Sequence, residues 1–528
     1  MIEINGHQLI AGRESQKGNK FFTAINPRNR RIDETQFSEA TKSEIKRAVV
    51  AAQEAFKETG RYSPSDLADF LDRVAQEIEE LGEQLLQVAD EETGLGFPRL
   101  RGERGRTTGQ LRKFGALLRE GSYVEAIIDS AQPERQPLPR PVIKRMLVPI
   151  GPVAVFSASN FPFAFAVAGG DTASAFAAGC PVIVKGHPSH PRTSELFGRA
   201  VNKAIKEMYF PPGFFSLIQG QSIEVGQALV TAPGIMAVGF TGSLRAGRAI
   251  YKAAAARPVP IPVYAEMGSI NPVIILPGAI FEEPQELADQ LVGSLTLGSG
   301  QFCTNPGLVF MIASEETKEF IGAVSNKMAE AEAGVLLNAQ IELGLDRAVS
   351  RTLAKADVVC LAGGASISDG PYSYPNTVMQ TSAAAFRADP DLQEEHFGPV
   401  VLFVLADSEE DLLHTIDFLQ GDLTASVHAA ADEPKLASEL FERLQHKAGR
   451  LILNGFPTGV EVVYAMQHGG PYPATTAPHT TSVGMTAIKR FMRPVAFQGL
   501  PDSLLPPALQ DENPLGIWRI VDEKYTNS

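Results

Sequence analysis

Apolar residues at helical spacing organise the first hundred positions. Ile45, Val49, Ala52 and Phe56 follow Thr41-Lys42-Ser43-Glu44, a capping box in which Thr and Glu each satisfy an orphan amide. Ser63-Pro64-Ser65-Asp66 is a second start signal, with Pro at the first helical position. Leu67, Phe70, Leu71, Val74, Ile78, Leu81 and Leu85 form the stripe of that helix. A third helix is predicted over 107–119, and residues 1–40 read as a leader of short strands and turns. Strand-like segments follow at 123–129 and 141–148, separated by the Pro-rich linker 133–141. A two-stranded ribbon is marginal alone, so this one predicts a partner edge. The apolar, Pro-rich segment 493–506 is a candidate third strand for it.

From residue 150 the pattern changes to short apolar β-rich runs alternating with helical stretches. Strands are predicted at 152–156, 181–185, 214–218, 235–240 and 262–265, with helices near 161–178, 192–208, 223–231 and 244–256. Strands apolar on both faces, separated by helices, predict a doubly wound parallel sheet. A second series has strands at 273–276, 308–312, 358–361, 400–404, 424–429 and 451–453, with helices near 283–298, 316–333, 408–419 and 433–446. The predicted class is α/β: a Rossmann-type cofactor domain (1–122 with 149–267), an α/β catalytic domain (268–490) and a small β element for oligomerisation (123–148 with 491–512).

Composition narrows this picture in three ways. A length of 528 residues exceeds what one core serves and predicts two or three domains. The net charge of −14 argues against a nucleic-acid or anionic-membrane partner. Three cysteines, none at metal-ligand spacing, fit a reducing cytosol. No signal peptide or membrane-spanning run is visible, so a cytoplasmic location is expected.

Ligands in open α/β sheets collect at the carboxyl ends of the strands, and there the chemistry concentrates. The first strand of the parallel series ends in Ser157-Ala158-Ser159-Asn160-Phe161-Pro162, where Asn160 is either a helix N-cap or an amide donor to a developing oxyanion. The next ends at Lys185-Gly186-His187-Pro188; Lys185 either snorkels or reaches ribose hydroxyls or phosphate. No acidic residue follows until Glu195, and His187, Ser189, His190 and Arg192 suit a 2′-phosphate better than a 2′-hydroxyl. Phe240-Thr241-Gly242-Ser243, with Gly247 one turn on, is a glycine-bearing loop opening a helix, able to meet a phosphate. Cys303 lies in a polar loop flanked by Gly298, Gly300 and Gly307, whereas Cys180 and Cys360 sit in apolar context and are assigned to the core. A thiol must be deprotonated to attack, and Glu266 is the candidate carboxylate.

The motifs Asn160-Phe161-Pro162, Phe240-Thr241-Gly242-Ser243, Glu266-Met267-Gly268-Ser269, Gly300-Gln301-Phe302-Cys303 and Glu394-Glu395-His396-Phe397-Gly398-Pro399 stand in the order found in aldehyde dehydrogenases. On these the chain, from about residue 20 to 500, resembles that superfamily. Gln301 to Gly307 and Gln467-His468-Gly469-Gly470-Pro471-Tyr472-Pro473-Ala474 resemble most its 2,5-dioxopentanoate (α-ketoglutarate semialdehyde) dehydrogenase branch, with NADP-preferring fatty-aldehyde dehydrogenases close by. Ser269 departs from the usual second Gly, and Pro188 falls where NAD-preferring members often carry Glu.

The resemblance implies NADP or NAD as cofactor and no metal. Cys303 attacks the aldehyde, Asn160 and the Cys303 amide hold the oxyanion, and hydride leaves the thiohemiacetal for the nicotinamide. Glu266 then activates water to cut the thioester, so it is not expected to be hydrogen-bonded to Cys303 at rest. By the same resemblance Lys185 and Glu395 hold the riboses, Phe397 supports the nicotinamide ribose, and Ser243 meets the pyrophosphate, with Ser157, Phe240, Thr241, Gly242 and Gly247 around them. Substrate-facing candidates are Phe161, Phe165, Gln301 and His468. A distal carboxylate would need a cation or amide, for which Arg104, Arg106, Arg112 and His468 are available; a long-chain aldehyde would use the Phe residues. The expected assembly is a homodimer or a dimer of dimers. A coenzyme A-acylating enzyme has no need of Glu266, a Cys-His hydrolase would leave the cofactor domain unexplained, and a non-catalytic protein on this fold has no need of Cys303 with Glu266.

Overall fold

A computed structural model describes residues 2–365 and 370–528. The capping box predicted at Thr41 forms, and the start signal at Ser63 is a capping box as well. Thr41 accepts the Glu44 amide at the start of helix Lys42–Thr59, and Ser63 accepts that of Asp66 before Pro64–Glu80. The stripe ending at Leu85 is broken, however: the chain turns at Leu81 and Gly82 (φ +57°), and Leu85 belongs to a separate helix, Gly82–Thr93. The third predicted helix begins ten residues earlier than expected and runs Phe97–Glu120. Its first ten residues carry five Arg or Glu side chains and two Gly and so show no apolar period.

The first parallel sheet is ordered Val263–Glu266, Ala237–Thr241, Val153–Phe156, Val182–Lys185, Phe215–Ile218, with the antiparallel hairpin Gln8–Ile10 and Arg13–Ser15 added at one edge. Strand order therefore reverses beside Val153–Phe156. The crevice between the ends of Phe156 and Thr241 is the switch point at which such sheets bind ligands. Helix was expected over 161–178, but only Gly170–Ala177 is helical. Residues 161–169 run in turns, with Glu103 Oε1 accepting the amides of Phe163 and Ala164. Asn160 consequently caps no helix.

A second seven-stranded sheet is ordered Val359–Ala362, Thr377–Ser382, Val400–Ala406, Leu308–Ile312, Val273–Ile275, Asp422–His428, Ala448–Leu453. Strand Thr377–Ser382 and helix Ala339–Leu353 were not anticipated, since both mix polar residues into the buried face. Val359–Ala362 is an antiparallel edge strand, and Cys360 on it is exposed, so its assignment to the core fails; Cys180 is fully buried. Apolar side chains cover both faces of both large sheets.

The third sheet pairs Met492–Gln498 with Ile143–Pro149, as the apolar Pro-rich segment suggested, and Ile143–Pro149 with Ile127–Asp129. It extends further than expected, because Arg519–Val521 joins Ile127–Asp129 in parallel and Lys524–Thr526 completes five strands. Residues 122–124 form a 3₁₀ turn rather than strand.

Candidate active site

The Cys303 loop is shaped by three successive left-handed residues, Gly298, Ser299 and Gly300, with φ of +59°, +58° and +66°. A Cβ on Gly300 would lie 2.2 Å from the Gly398 carbonyl, so only glycine fits against that backbone. Gln301 locks the loop from behind. Its amide donates to the carbonyls of Gly298 and Val335, and its side-chain oxygen accepts from Leu337. Gln301 is thus a buried brace, and its expected contact with substrate is corrected. From the other side Asn271 Nδ2 donates to the Cys303 carbonyl at 2.8 Å and the Asn305 carbonyl at 3.0 Å. Asn271 escaped sequence reasoning; the Asn-Pro pair it forms with Pro272 marks only a turn.

Cys303 Sγ lies 3.5 Å from His468 Nε2, and the same nitrogen lies 3.1 Å from Glu266 Oε1. The three ligand-bearing atoms sit within 4.8 Å of one another. Glu266 Oε2 accepts from Ser482 Oγ. The 474–482 segment reaches this place because Met267 donates to the Ala474 carbonyl and Glu266 bridges to Thr475. Burial pushes the Glu266 carboxyl upward, but His468 and the Ser482 hydroxyl hold it below its ordinary value, ionised. Burial, then the Glu266 charge, drive the Cys303 thiol well above its ordinary value, against a smaller opposing effect of Arg106. The resting thiol is therefore protonated at neutral pH and needs an acceptor. His468 Nε2, wedged between thiol and carboxylate, couples the two, while His468 Nδ1 is buried with no partner. His468 was expected on the substrate; its place is between Cys303 and Glu266.

Asn160 Nδ2 donates to the Gln301 carbonyl at 2.9 Å. That fixes the amide plane and leaves its second N–H for the cavity of about 300 Å³ that Asn160, Thr241, Gly242, Glu266, Cys303 and Phe397 line. A neighbouring cavity of about 780 Å³ shares Ser243, Gly268, Glu395 and Phe397.

The cofactor-side residues separate into free and committed groups. Ser157 Oγ is buried without a partner at the switch point. Lys185 ends the adjacent strand, lowered to about 8 by burial. Ser243 caps helix Leu244–Ala255 by accepting from Ala246. Phe240 ends its strand against Phe156. Glu395, raised by burial to about 7, faces Gly268, where a Cβ would come within 2.4 Å of Oε2. A free hydroxyl, a cation, a helix start and a carboxylate at one switch point suit a phosphate-and-ribose dinucleotide.

One expectation on this side fails and another is narrowed. The Gly247 amide donates to Ser243 within the helix, and its bare Cα admits Met267, whose Sδ a Cβ would meet at 2.7 Å; it is a packing glycine. The groups chosen for a 2′-phosphate are partly used, although the Ser189 hydroxyl keeps its proton to donate. Arg192 pairs with Asp33 and Glu91, His190 Nε2 lies 2.9 Å from the Ala158 carbonyl, Ser189 Oγ accepts from Asn338, and His187 Nδ1 accepts the Ser189 amide. An acidic group does act on Lys185, namely Glu39, which the amides of Gln221 and Ser222 hold nearby. The local sequence after Lys185 could not display it.

Residues 13–474 match the aldehyde dehydrogenase family. The chain belongs to that family. It is 45% identical over 525 residues to the α-ketoglutaric semialdehyde dehydrogenase 2 of Azospirillum brasilense, spanning 99% of this chain and all of that one. It is 42% identical over 528 residues to the α-ketoglutaric semialdehyde dehydrogenase of Acinetobacter baylyi, spanning both chains fully. The betaine aldehyde dehydrogenase of Staphylococcus aureus, solved with NAD+, superposes with a TM-score of 0.80 at 22% identity, over 94% of this chain and 98% of that one.

On the aldehyde dehydrogenase's other side of Cys303 stand aromatic and basic residues. Phe161 packs edge-on to Phe165 and Phe302, with centroids at 5.3 and 5.1 Å, and Phe165 lies 6.4 Å from the His468 ring. Arg99, which sequence reasoning passed over, covers Phe161 and Phe302 and donates to the Asn160 carbonyl. Of the cations considered for a distal carboxylate, Arg112 is on the surface paired with Glu79 and Arg104 donates to the Gly82 carbonyl. Only Arg106 of those three stands over Phe165. Ser269 bonds Asp422 and Asn271 and accepts from Leu423, tying the Glu266 segment to the second sheet.

Proposed function

We propose that this aldehyde dehydrogenase oxidises 2,5-dioxopentanoate to 2-oxoglutarate with NADP or NAD. The Cys303–His468–Glu266 contact is the observation that carries the chemistry, and the two full-length relatives support the substrate. The thiol proton passes to the Glu266–His468 pair, coupled through one nitrogen. Sγ attacks the aldehyde carbon, and the free Asn160 N–H with the Cys303 amide stabilises the oxyanion. A bound NAD(P)+ would accept the hydride as the thiohemiacetal becomes a thioester; Ser157, Lys185, Ser243 and Glu395 would hold it, with Phe397 beside the nicotinamide ribose. Once the pair has released the thiol proton to solvent, Glu266 takes a proton from water, the hydroxide cleaves the thioester, and the proton returns to the leaving thiolate. The chemistry divides over 1–122 with 149–267 for the cofactor and 268–490 for the thiol. The free edges of the third sheet suit a homodimer or a dimer of dimers. No described helix is long and apolar enough to cross a membrane, and we read the enzyme as cytoplasmic.

The test is cofactor reduction with a panel of aldehydes, NAD and NADP run separately. Turnover of 2,5-dioxopentanoate well above that of long-chain aldehydes supports the reading. Fast oxidation of fatty aldehydes with none of the dioxo acid sinks it. Full activity of Cys303→Ala would sink the chemistry.

A further inference from the structure

We propose that Arg106 is the carboxylate anchor of the substrate channel, receiving the terminal carboxylate of a short oxo acid whose aldehyde carbon lies at Cys303. This rests on the oxidation reading above and adds the group that selects the substrate.

Arg106 projects from helix Phe97–Glu120 and is a cation without a counter-ion. Its Nη1 is enclosed by protein and has no hydrogen-bond partner, and Nη2 makes only a 3.5 Å contact with the Val460 carbonyl. Among the described residues no carboxylate comes within ion-pair distance of it. The other enclosed arginines are provided for. Arg490 meets Asp171 at 2.8 Å, Arg99 meets Glu103 at 3.8 Å and donates to Asn160, and Arg450 donates to Gly459 and Pro457. Glu103, the acid nearest Arg106 electrostatically, spends Oε1 on the amides of Phe163 and Ala164.

An enclosed charge is retained at a cost when nothing pairs with it. The cost is offset if an anion arrives, and the position says which one. The guanidinium lies over Phe165, 5.2 Å from its centroid, and Phe165 adjoins Phe161 and His468. That is the aromatic side of the thiol. Phe165 carries the connection to the thiol, because its ring lies 6.4 Å from that of His468, whose Nε2 is 3.5 Å from Cys303 Sγ. A guanidinium matches a carboxylate with two parallel N–H donors, whereas a fatty aldehyde offers it nothing. The aromatic rings Phe161 and Phe165 suit the few methylene groups between.

The alternative is that Arg106 serves the thiol alone, by favouring the thiolate. Purified full-length enzyme separates the two with 2,5-dioxopentanoate, 5-oxopentanoate and pentanal, which differ in carrying or lacking the carboxylate. Wild type is expected to favour both acids over pentanal in kcat/KM. In Arg106→Gln the ratio of 5-oxopentanoate to pentanal falls by about 10- to 100-fold, mainly through KM, as for a lost charged hydrogen bond. Arg106→Lys, a cation without the fork, keeps part of it. An unchanged ratio in Arg106→Gln overturns the anchor while leaving the oxidation reading standing. Equal loss toward all three aldehydes, with slower alkylation of Cys303 by neutral iodoacetamide, also overturns it and assigns Arg106 to the thiol. A wild type that does not favour the dioxo acid overturns the substrate reading itself.

Discussion

Replacing His468 with Gln tests whether the thiol depends on the Glu266–His468 pair. Gln keeps a polar group near Nε2 but cannot relay a proton. At its ordinary value of 9.0, a thiol is only about 1% ionised at pH 7, and Cys303 is held above that value. Without an acceptor, attack must wait for that small and shrinking fraction. General-base assistance contributes about 100- to 10,000-fold, so a loss of about 100- to 1,000-fold is expected in the first turnover. The assay is rapid-mixing measurement of cofactor reduction with enzyme in excess. Because the thiolate must then pre-exist, the rate in His468→Gln should climb about tenfold per pH unit through the neutral range. Glu266→Gln should differ in kind: one reduced cofactor per site followed by a stall, because the thioester accumulates. A full-speed first turnover in His468→Gln, flat with pH, would refute the proton relay.

Asn160→Ala should lower kcat by about 100- to 1,000-fold with little change in thermal midpoint, since the side chain ends in the cavity rather than capping a helix. Glu395 provides a pH test. Burial raises its folded value to about 7 from 4.5, so its contribution to stability is present below about 4.5 and lost as pH rises through 7. Glu395→Gln should remove that decline, on the order of 3 kcal/mol between pH 4.5 and 8 by denaturant titration. Asp171→Ala leaves Arg490 buried without its counter-ion, and urea unfolding should show a loss of about 3–5 kcal/mol.

Much of the fold was legible because local signals and tertiary packing agree. The capping boxes at Thr41 and Ser63, the five apolar strands of the first sheet and the Ile223–Thr231 helix lie within a residue or two of where periodicity placed them. The failures have physical causes. Helix 161–178 was expected because its residues are apolar, yet Pro162 and the Glu103 carboxylate hold 161–169 in turns. The strand Thr377–Ser382 carries Thr, Gln and Ser among its apolar residues, so neither alternation nor a continuous run announced it. Cys360 looked like core because its neighbours are aliphatic, but an edge strand can expose them.

The site was legible as a list of side chains and not as a network. Cys303, Glu266 and Asn160 stood out through loop chemistry and motif order, which are local properties. His468 is 165 residues from Cys303 and 202 from Glu266, and its link to them depends on the 474–482 segment crossing the end of the strand that carries Glu266. Nothing within a window of sequence encodes that crossing. The same blindness left the cofactor specificity argument incomplete. The loop after Lys185 lacks an acid, yet Glu39 approaches from the leader, and Arg192 is consumed by Asp33 and Glu91. What a loop offers a ligand is what remains after its neighbours have taken their share. By that criterion Ser157 Oγ and Arg106 Nη1, both buried without a partner, are donors that the proposed cofactor and carboxylate sites would use.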